Sequence, residues 1–143
     1  MDVLFVCVHN SGRSQMAEAW FNHLASRRRI DLAATSAGTE PSKAVQPLVV
    51  SAMAERGLDI SLNIPRVLTD EMIDGSQAVI TMGCAVDSSA CPSFKYEEAN
   101  DWQLSDPSVM SLAEVRALRD VIYDNVDRLL TFLTRPVDLR SDT

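Results

Sequence analysis

Short runs of β-branched and apolar residues alternate along this chain with segments whose apolar residues recur every three or four positions. No other feature restricts the fold as much. Val3, Leu4, Phe5 and Val6 are consecutive and apolar, the pattern of a strand covered on both faces. Met16, Ala17, Trp20, Phe21 and Leu24 then fall at the spacing of one helix face. A second strand is expected at 32–37, closed by Gly38; Pro47 opens a helix carrying Leu48, Val49, Ala52 and Met53, and Gly57 stops it. Asp70 and Glu71 begin a short helix, and residues 77–82 form a third buried strand. A fourth strand is expected at Trp102, Gln103 and Leu104, before a turn at Asp106-Pro107. Ser111 and Glu114 have the spacing of a capping box, and Leu112, Val115, Leu118, Ile122, Val126, Leu129 and Leu133 supply a long apolar face that Pro136 ends. The expected fold is α/β: a single-domain three-layer sandwich with a four-stranded parallel sheet, helices on both faces and right-handed crossovers. Residues 1–136 are assigned to that domain and 137–143 to a frayed tail.

Charge and cysteine usage narrow the chemistry. A formal net charge of −7 disfavours nucleic acid and anionic membrane surfaces as partners, since phosphate contacts need clustered Lys and Arg. The one basic cluster, Arg27-Arg28-Arg29, falls where the first helix should end, and cations there complement the helix dipole. Neither a membrane-length apolar run nor a basic signal-peptide start is present, so a cytoplasmic location is expected. Three cysteines in a reducing compartment do not make a disulfide framework; any role they share is chemical.

The segment Cys7-Val8-His9-Asn10-Ser11-Gly12-Arg13-Ser14 joins the first strand to the first helix, where ligands collect in open α/β sheets. Backbone N–H groups of such a loop can converge on an anion with the helix dipole behind them. Gly12 permits the tight backbone, Arg13 brings a planar fork suited to a tetrahedral oxyanion, and Ser14 can donate to the sulfur. A thiolate at Cys7 would be stabilised by these same features, which makes it a nucleophile candidate rather than merely a small buried apolar residue. Downstream, Asp106 is a candidate general acid, although Asp-Pro is also a common turn former.

Cys84 and Cys91 stand seven apart, one at the end of the third strand and one in the polar stretch 83–100, which is long for a loop in a compact domain. That is neither the spacing of a zinc knuckle nor that of a tight redox pair, and the chain has only two histidines. In a parallel sheet the third strand's end can lie beside the first's, bringing Cys84 toward Cys7. Small residues such as Ser88, Ser89 and Ala90 would let the loop rearrange, since bridged cysteines need Cα atoms within about 7 Å.

The loop from Cys7 resembles the signature of the low-molecular-weight protein tyrosine phosphatase fold, in which a downstream Asp-Pro supplies the acid. Together with "SAGTEP", "AMAERGLDIS", "LTDEM", "VITMGC", "DWQLSDP" and the pair Cys84 and Cys91-Pro92, it resembles the thioredoxin-coupled arsenate reductases of that fold. The resemblance implies that Cys7 attacks arsenate held by Arg13 and the loop amides while Asp106 protonates the departing oxygen. It implies next that Cys84 attacks Cys7 to release arsenite, and that Cys91 attacks Cys84 to leave a disulfide for thioredoxin to reduce. The chain is expected to act as a monomer with no tightly bound cofactor. In part of the family a potassium ion sits beneath the loop, and Asn10, Glu18 and Ser36 match its ligands, while "DISLNIP" departs from the pattern and supplies no further ligand. Asn10 as a loop brace and Glu18 as a solvated carboxylate are the plainer readings, and His9 is either a neighbour tuning the thiol or a loop residue facing solvent.

Three other functions compete. A tyrosine phosphatase would use Cys7, Arg13 and Asp106 alone, but Ser108 and Val109 follow the Asp-Pro where such enzymes place aromatics, so phosphate-ester hydrolysis is expected only as a side activity. The same fold coupled to glutaredoxin or a small thiol would not need the Cys84 and Cys91 pair. A soft-metal binding protein would need the thiolates but neither Arg13 nor Asp106.

Overall fold

The computed structural model describes residues 2–83 and 101–135. Three parallel strands, β1 (Val3–Cys7), β2 (Ala34–Gly38) and β3 (Ala78–Thr81), form a sheet in the order β2-β1-β3. Val3 pairs with Ala34 on one side and Ala78 on the other, so the first strand is central and its end is flanked by both neighbours. The helices are α1 (Arg13–Arg27), α2 (Pro47–Ala54), α3 (Asp70–Asp74) and α4 (Leu112–Thr134). Alternation along β1 divides the core between the two faces of the sheet. Val3, Phe5 and Cys7 join α1, α2 and α4 in the larger cluster, while Leu4 and Val6 meet Ile73 and Met72 of α3 on the other side. The expected three layers are present. Among the described residues no helix is long and apolar enough to cross a membrane.

Among these residues the sheet has three strands, not the expected four. Where the fourth was expected, only Asp101 bridges to Thr81, with the Trp102 N–H donating to the Thr81 carbonyl at 2.9 Å. The chain then leaves the sheet because Gln103 takes a left-handed conformation (φ 52°), which ends an extended run. Trp102 is nonetheless used in the core, its ring 5.5 Å from that of Phe5.

The long C-terminal helix departs from its expected face in one respect. Val115, Leu118, Ile122 and Val126 are buried as their spacing implies, but the last buried position is Leu130, with Leu129 half-buried and Leu133 exposed. Leu133 falls in the last turn of the helix, which ends at Thr134, beyond the last residue that the core covers. The capping box forms as read: Ser111 Oγ accepts from Glu114 N–H and the Glu114 carboxylate accepts from Ser111 N–H. At the end of α1 the basic cluster sits on the helix terminus, where Arg28 pairs with Asp127 of α4.

One polar clamp fastens α2 to α4. Arg119 is 3% exposed and donates to the carbonyl of Ala52 in the last turn of α2, to Glu55 and to Asp120. Arg116 grips the same Glu55 carboxylate with two nitrogens. Hydrogen bonds from Arg116 and then Arg119 hold the Glu55 carboxyl down from its ordinary 4.5 to about 2. A carboxyl held low in the folded state binds fewer protons there than in the unfolded chain, so its contribution is complete above about pH 4.5 and is lost as pH falls toward 2. We expect Glu55→Gln to flatten the dependence of melting temperature on pH across that acid window, by a modest amount because the pair is solvent-screened. A variant whose acid limb matches the parent's would show that the clamp is not what titrates.

Candidate active site

β1 ends at Cys7 and α1 begins at Arg13, and the loop between them is turned inside out by its neighbours. The segment running out of β2 donates backbone N–H groups to its carbonyls: Thr39 to Cys7, Glu40 to Val8, Ser42 to His9 and Gln46 to Ser11, at 3.3, 2.8, 3.0 and 2.9 Å. The Gly12 carbonyl accepts from Met16 within the helix. In a trans peptide the N–H points away from the C=O, so outward carbonyls aim the following amides inward, toward the end of β1. Asn10 shows the result directly. With the His9 carbonyl held outside and φ at 48°, its N–H points at Cys7 Sγ, 3.2 Å away. The sulfur therefore lies in a concave set of amides at the positive end of α1, a site built for negative charge.

Side chains brace this arrangement. Ser14 Oγ stands 2.8 Å from Cys7 Sγ and accepts from Asn10 Nδ2 at 2.7 Å, which leaves its own hydrogen available to the sulfur. Asn10 Nδ2 also donates to Ser36 Oγ, and Asn10 Oδ1 accepts from Gln15 Nε2. Asn10 is fully buried and acts as the loop's brace. Arg13 is 2% exposed, and its Nη1 donates to the carbonyls of Met82 and Leu104, both at 2.8 Å. One anchor is just past β3 and the other follows the bridge at Asp101, so the guanidinium is placed by two segments remote in sequence.

Two glycines permit these approaches. A Cβ on Gly12 would lie 2.5 Å from Pro107 Cγ, so only glycine lets the Asp106-Pro107 segment close against the loop. Gly83 has φ of 86°, and a Cβ there would collide with the Leu104 carbonyl and come within 3.0 Å of Arg13 Nη1. Asp106 caps the 3₁₀ turn Pro107–Val109 by accepting from Ser108 N–H at 3.0 Å. His9, Ser11, Gln46, Pro47, Leu48 and Pro107 line a cleft of about 410 Å³ that joins the loop to this turn.

The residues singled out from the sequence come together with few exceptions. Cys7, Val8, Asn10, Ser11, Arg13 and Ser14 are buried in one loop, and Asp106-Pro107 is packed beside it. His9 is half-buried, and its Nδ1 donates to the Glu40 carbonyl at 3.1 Å, a carbonyl being able only to accept. Cys84 and Cys91 lie outside the described residues. Asn10, Glu18 and Ser36 do meet, with Ser36 Oγ donating to Glu18 Oε1 at 3.3 Å. Arg66, unremarked in the sequence, reaches that group with Nη1 2.9 Å from Glu18 Oε1. Also unforeseen is Asp101, whose carboxylate accepts from Thr81 Oγ1 and Gly83 N–H and so fixes the turn beside Arg13. Gln46, whose Nε2 donates to Ser11 Oγ, completes the loop's outer support. Their only sequence signal was proximity to recognisable motifs.

Residues 2–139 match the family of the low molecular weight phosphotyrosine protein phosphatase. The chain belongs to that family. Among its relatives, the glutaredoxin arsenate reductase of Synechocystis is 36% identical over 90% of this chain and 95% of its own. A solved arsenate reductase in its phosphate-binding state is 34% identical, covers 94% of this chain and 100% of its own, and superposes with a TM-score of 0.77. The thioredoxin-dependent arsenate reductase of Corynebacterium glutamicum is 36% identical, with a TM-score of 0.71 over 91% of this chain and 60% of its own. The loop from Cys7 to Arg13 is formed in this structure, and the Leu104 carbonyl reaches Arg13 only because position 83 is glycine. Gly83→Ala is expected to cost about 1–3 kcal/mol from backbone conformation alone and to weaken inorganic phosphate binding by displacing Leu104 from Arg13. Thermal melting and phosphate protection of Cys7 against iodoacetamide would measure both, and unchanged protection would show that Arg13 needs no such support.

Proposed function

We propose that this protein reduces arsenate to arsenite, with Cys7 as nucleophile and with Cys84 and Cys91 relaying the oxidation to thioredoxin. The observation that carries the reading is the inverted loop: Cys7 Sγ is held by Asn10 N–H and Ser14, beside a buried Arg13, in a concavity that suits a tetrahedral oxyanion. Relatives named as arsenate reductases, matched over most of this chain, favour arsenate as that oxyanion.

The Cys7 thiolate attacks arsenic, an As–O bond breaks, and the oxygen leaves as water on protonation by Asp106. The loop amides and Arg13 stabilise the charge on the remaining oxygens. A Cys84 thiolate then attacks Cys7 Sγ; the S–S bond forms, the electron pair of the S–As bond passes to arsenic, and arsenite departs. Cys91 attacks Cys84, freeing the Cys7 thiolate and leaving a Cys84–Cys91 disulfide that the thioredoxin dithiol reduces with two electrons. Two features support the first relay step. β3 runs parallel beside β1, and Gly83, next in sequence to Cys84, lies against Arg13. Such a relay suits the reducing cytoplasm, and nothing in it needs more than one copy of the chain.

Hydrolysis of phosphate esters is the second reading, favoured by family membership and by a loop that needs only Cys7, Arg13 and Asp106. Among the described residues the cleft beside the loop is lined by Pro47, Leu48, Pro107 and Ser108, with Val109 91% exposed beyond, and none of the described lining residues is Phe, Tyr or Trp. In this reading ester hydrolysis is a side reaction, with arsenate favoured by the named relatives.

Purified enzyme with thioredoxin, thioredoxin reductase and NADPH should consume NADPH on addition of arsenate. Cys7→Ser should be inactive, and Cys91→Ser should stop after a single turnover. Undiminished steady-state turnover by Cys91→Ser would remove the relay. Faster turnover with glutaredoxin or a small thiol than with thioredoxin would reassign the electron donor.

A further inference from the structure

Glu18 is a nearly buried carboxylate, 9% exposed, directly behind a loop designed to hold an anion. Left uncompensated, its charge would oppose both a thiolate and an oxyanion a few side chains away. Its compensation comes from one residue. Arg66 Nη1 donates to Glu18 Oε1 at 2.9 Å and lies 3.4 Å from both Thr35 Oγ1 and the Ser36 carbonyl, so three oxygens surround one guanidinium nitrogen. The Arg66 side chain is half-exposed, but its backbone is tied at both ends. Its N–H donates to Asn10 Oδ1 at 2.8 Å, its carbonyl accepts from Gly38 N–H at 2.8 Å, and Val67 bridges to Gly38 at the end of β2.

The oxygens expected to hold potassium are already employed. Asn10 Oδ1 accepts from both Arg66 N–H and Gln15 Nε2, while Asn10 turns its amide nitrogen, not its oxygen, toward Ser36. Those two acceptances and two donations use the full hydrogen-bonding capacity of an Asn side chain. Ser36 Oγ accepts from Asn10 and donates to Glu18. This donor set does not fit a bound metal ion; it fits a guanidinium.

We infer that Arg66 is the built-in cation of the nucleophile loop, a positioning residue that replaces bound potassium and makes the protein indifferent to that ion. It acts through two routes that converge on Asn10. The guanidinium neutralises Glu18 and holds it for Ser36, which meets Asn10 Nδ2, while the Arg66 amide fixes Asn10 Oδ1. Asn10 in turn aims its N–H at Cys7 and steadies Ser14. The inference concerns the anion-binding loop itself and holds whichever oxyanion is turned over.

The test uses inorganic phosphate as the probe, read by protection of Cys7 from iodoacetamide, together with melting temperature, in potassium chloride and in tetramethylammonium chloride at equal ionic strength. The parent protein should give the same phosphate affinity and melting temperature in both salts. Arg66→Ala keeps the backbone ties and removes only the charge. It should bind phosphate about fivefold more weakly in both salts, the scale of a partly exposed ion pair, and recover on adding Glu18→Gln. Arg66→Lys should stay close to the parent. A potassium-specific gain in the parent would overturn the inference, as would an Arg66→Ala variant that binds phosphate normally, or one whose defect Glu18→Gln does not relieve. If Arg66→Ala does not fold, the salt comparison on the parent and on Arg66→Lys still decides, since a potassium response in the parent defeats it and salt-indifference in both sustains it.

Discussion

The site depends on where five carbonyl groups point. Left to itself a loop of this length would mix its N–H and C=O groups on both sides, and carbonyl oxygens facing Cys7 would repel any anion. The N–H groups of Thr39, Glu40, Ser42 and Gln46 draw four carbonyls to the outside, and the first turn of α1 takes a fifth. What remains on the inner side is a set of N–H dipoles around one sulfur. The segment 38–46 is thus as much a part of the site as the loop it supports.

The second requirement is a fixed guanidinium. A buried arginine costs free energy unless its nitrogens find acceptors, and Arg13 finds two carbonyls supplied by the end of the third strand and by the segment at Leu104. Those carbonyls are themselves positioned by Asp101, which ties Thr81 to the Gly83 amide, and by the left-handed turns at Gly83 and Gln103. The incomplete fourth strand is therefore a structural consequence of the site. Had 102–104 continued in the ladder, the Leu104 carbonyl would have been spent on a strand partner and not on Arg13.

Net charge and local field also part company here. The chain carries −7, yet the loop presents helix and peptide dipoles and one arginine inward, with a second arginine behind it cancelling Glu18. An acidic exterior does little to such a site, because exposed charges beyond a Debye length of about 8–10 Å are screened. Close, buried dipoles are not, and they set the potential that an oxyanion meets.

The α/β alternation, the nucleophile loop, the capping box of the last helix and the buried sequence at β1 were all legible in the residues, because each follows from local periodicity or from chemistry carried within about ten neighbouring positions. That helix face was expected to run to Leu133 and its last buried residue is Leu130, because apolar spacing shows which side of a helix is covered but not where the neighbouring core stops. Four strands were expected and three form among the described residues, because no local signal shows that Asp101 and Leu104 are needed elsewhere. Asp101, Gln46 and Arg66 were likewise unreadable: each is an ordinary polar residue until the fold brings Gln46 and Arg66 onto the loop and Asp101 onto the turn beside Arg13. The sequence alone determined which groups are candidates for the chemistry, since a thiol and an arginine at the end of a strand and a downstream Asp-Pro are recognisable from residue type and position. Only the tertiary structure decided which way their supporting dipoles face and what neutralises Glu18, because those depend on contacts between segments far apart in the chain, which no short-range pattern encodes.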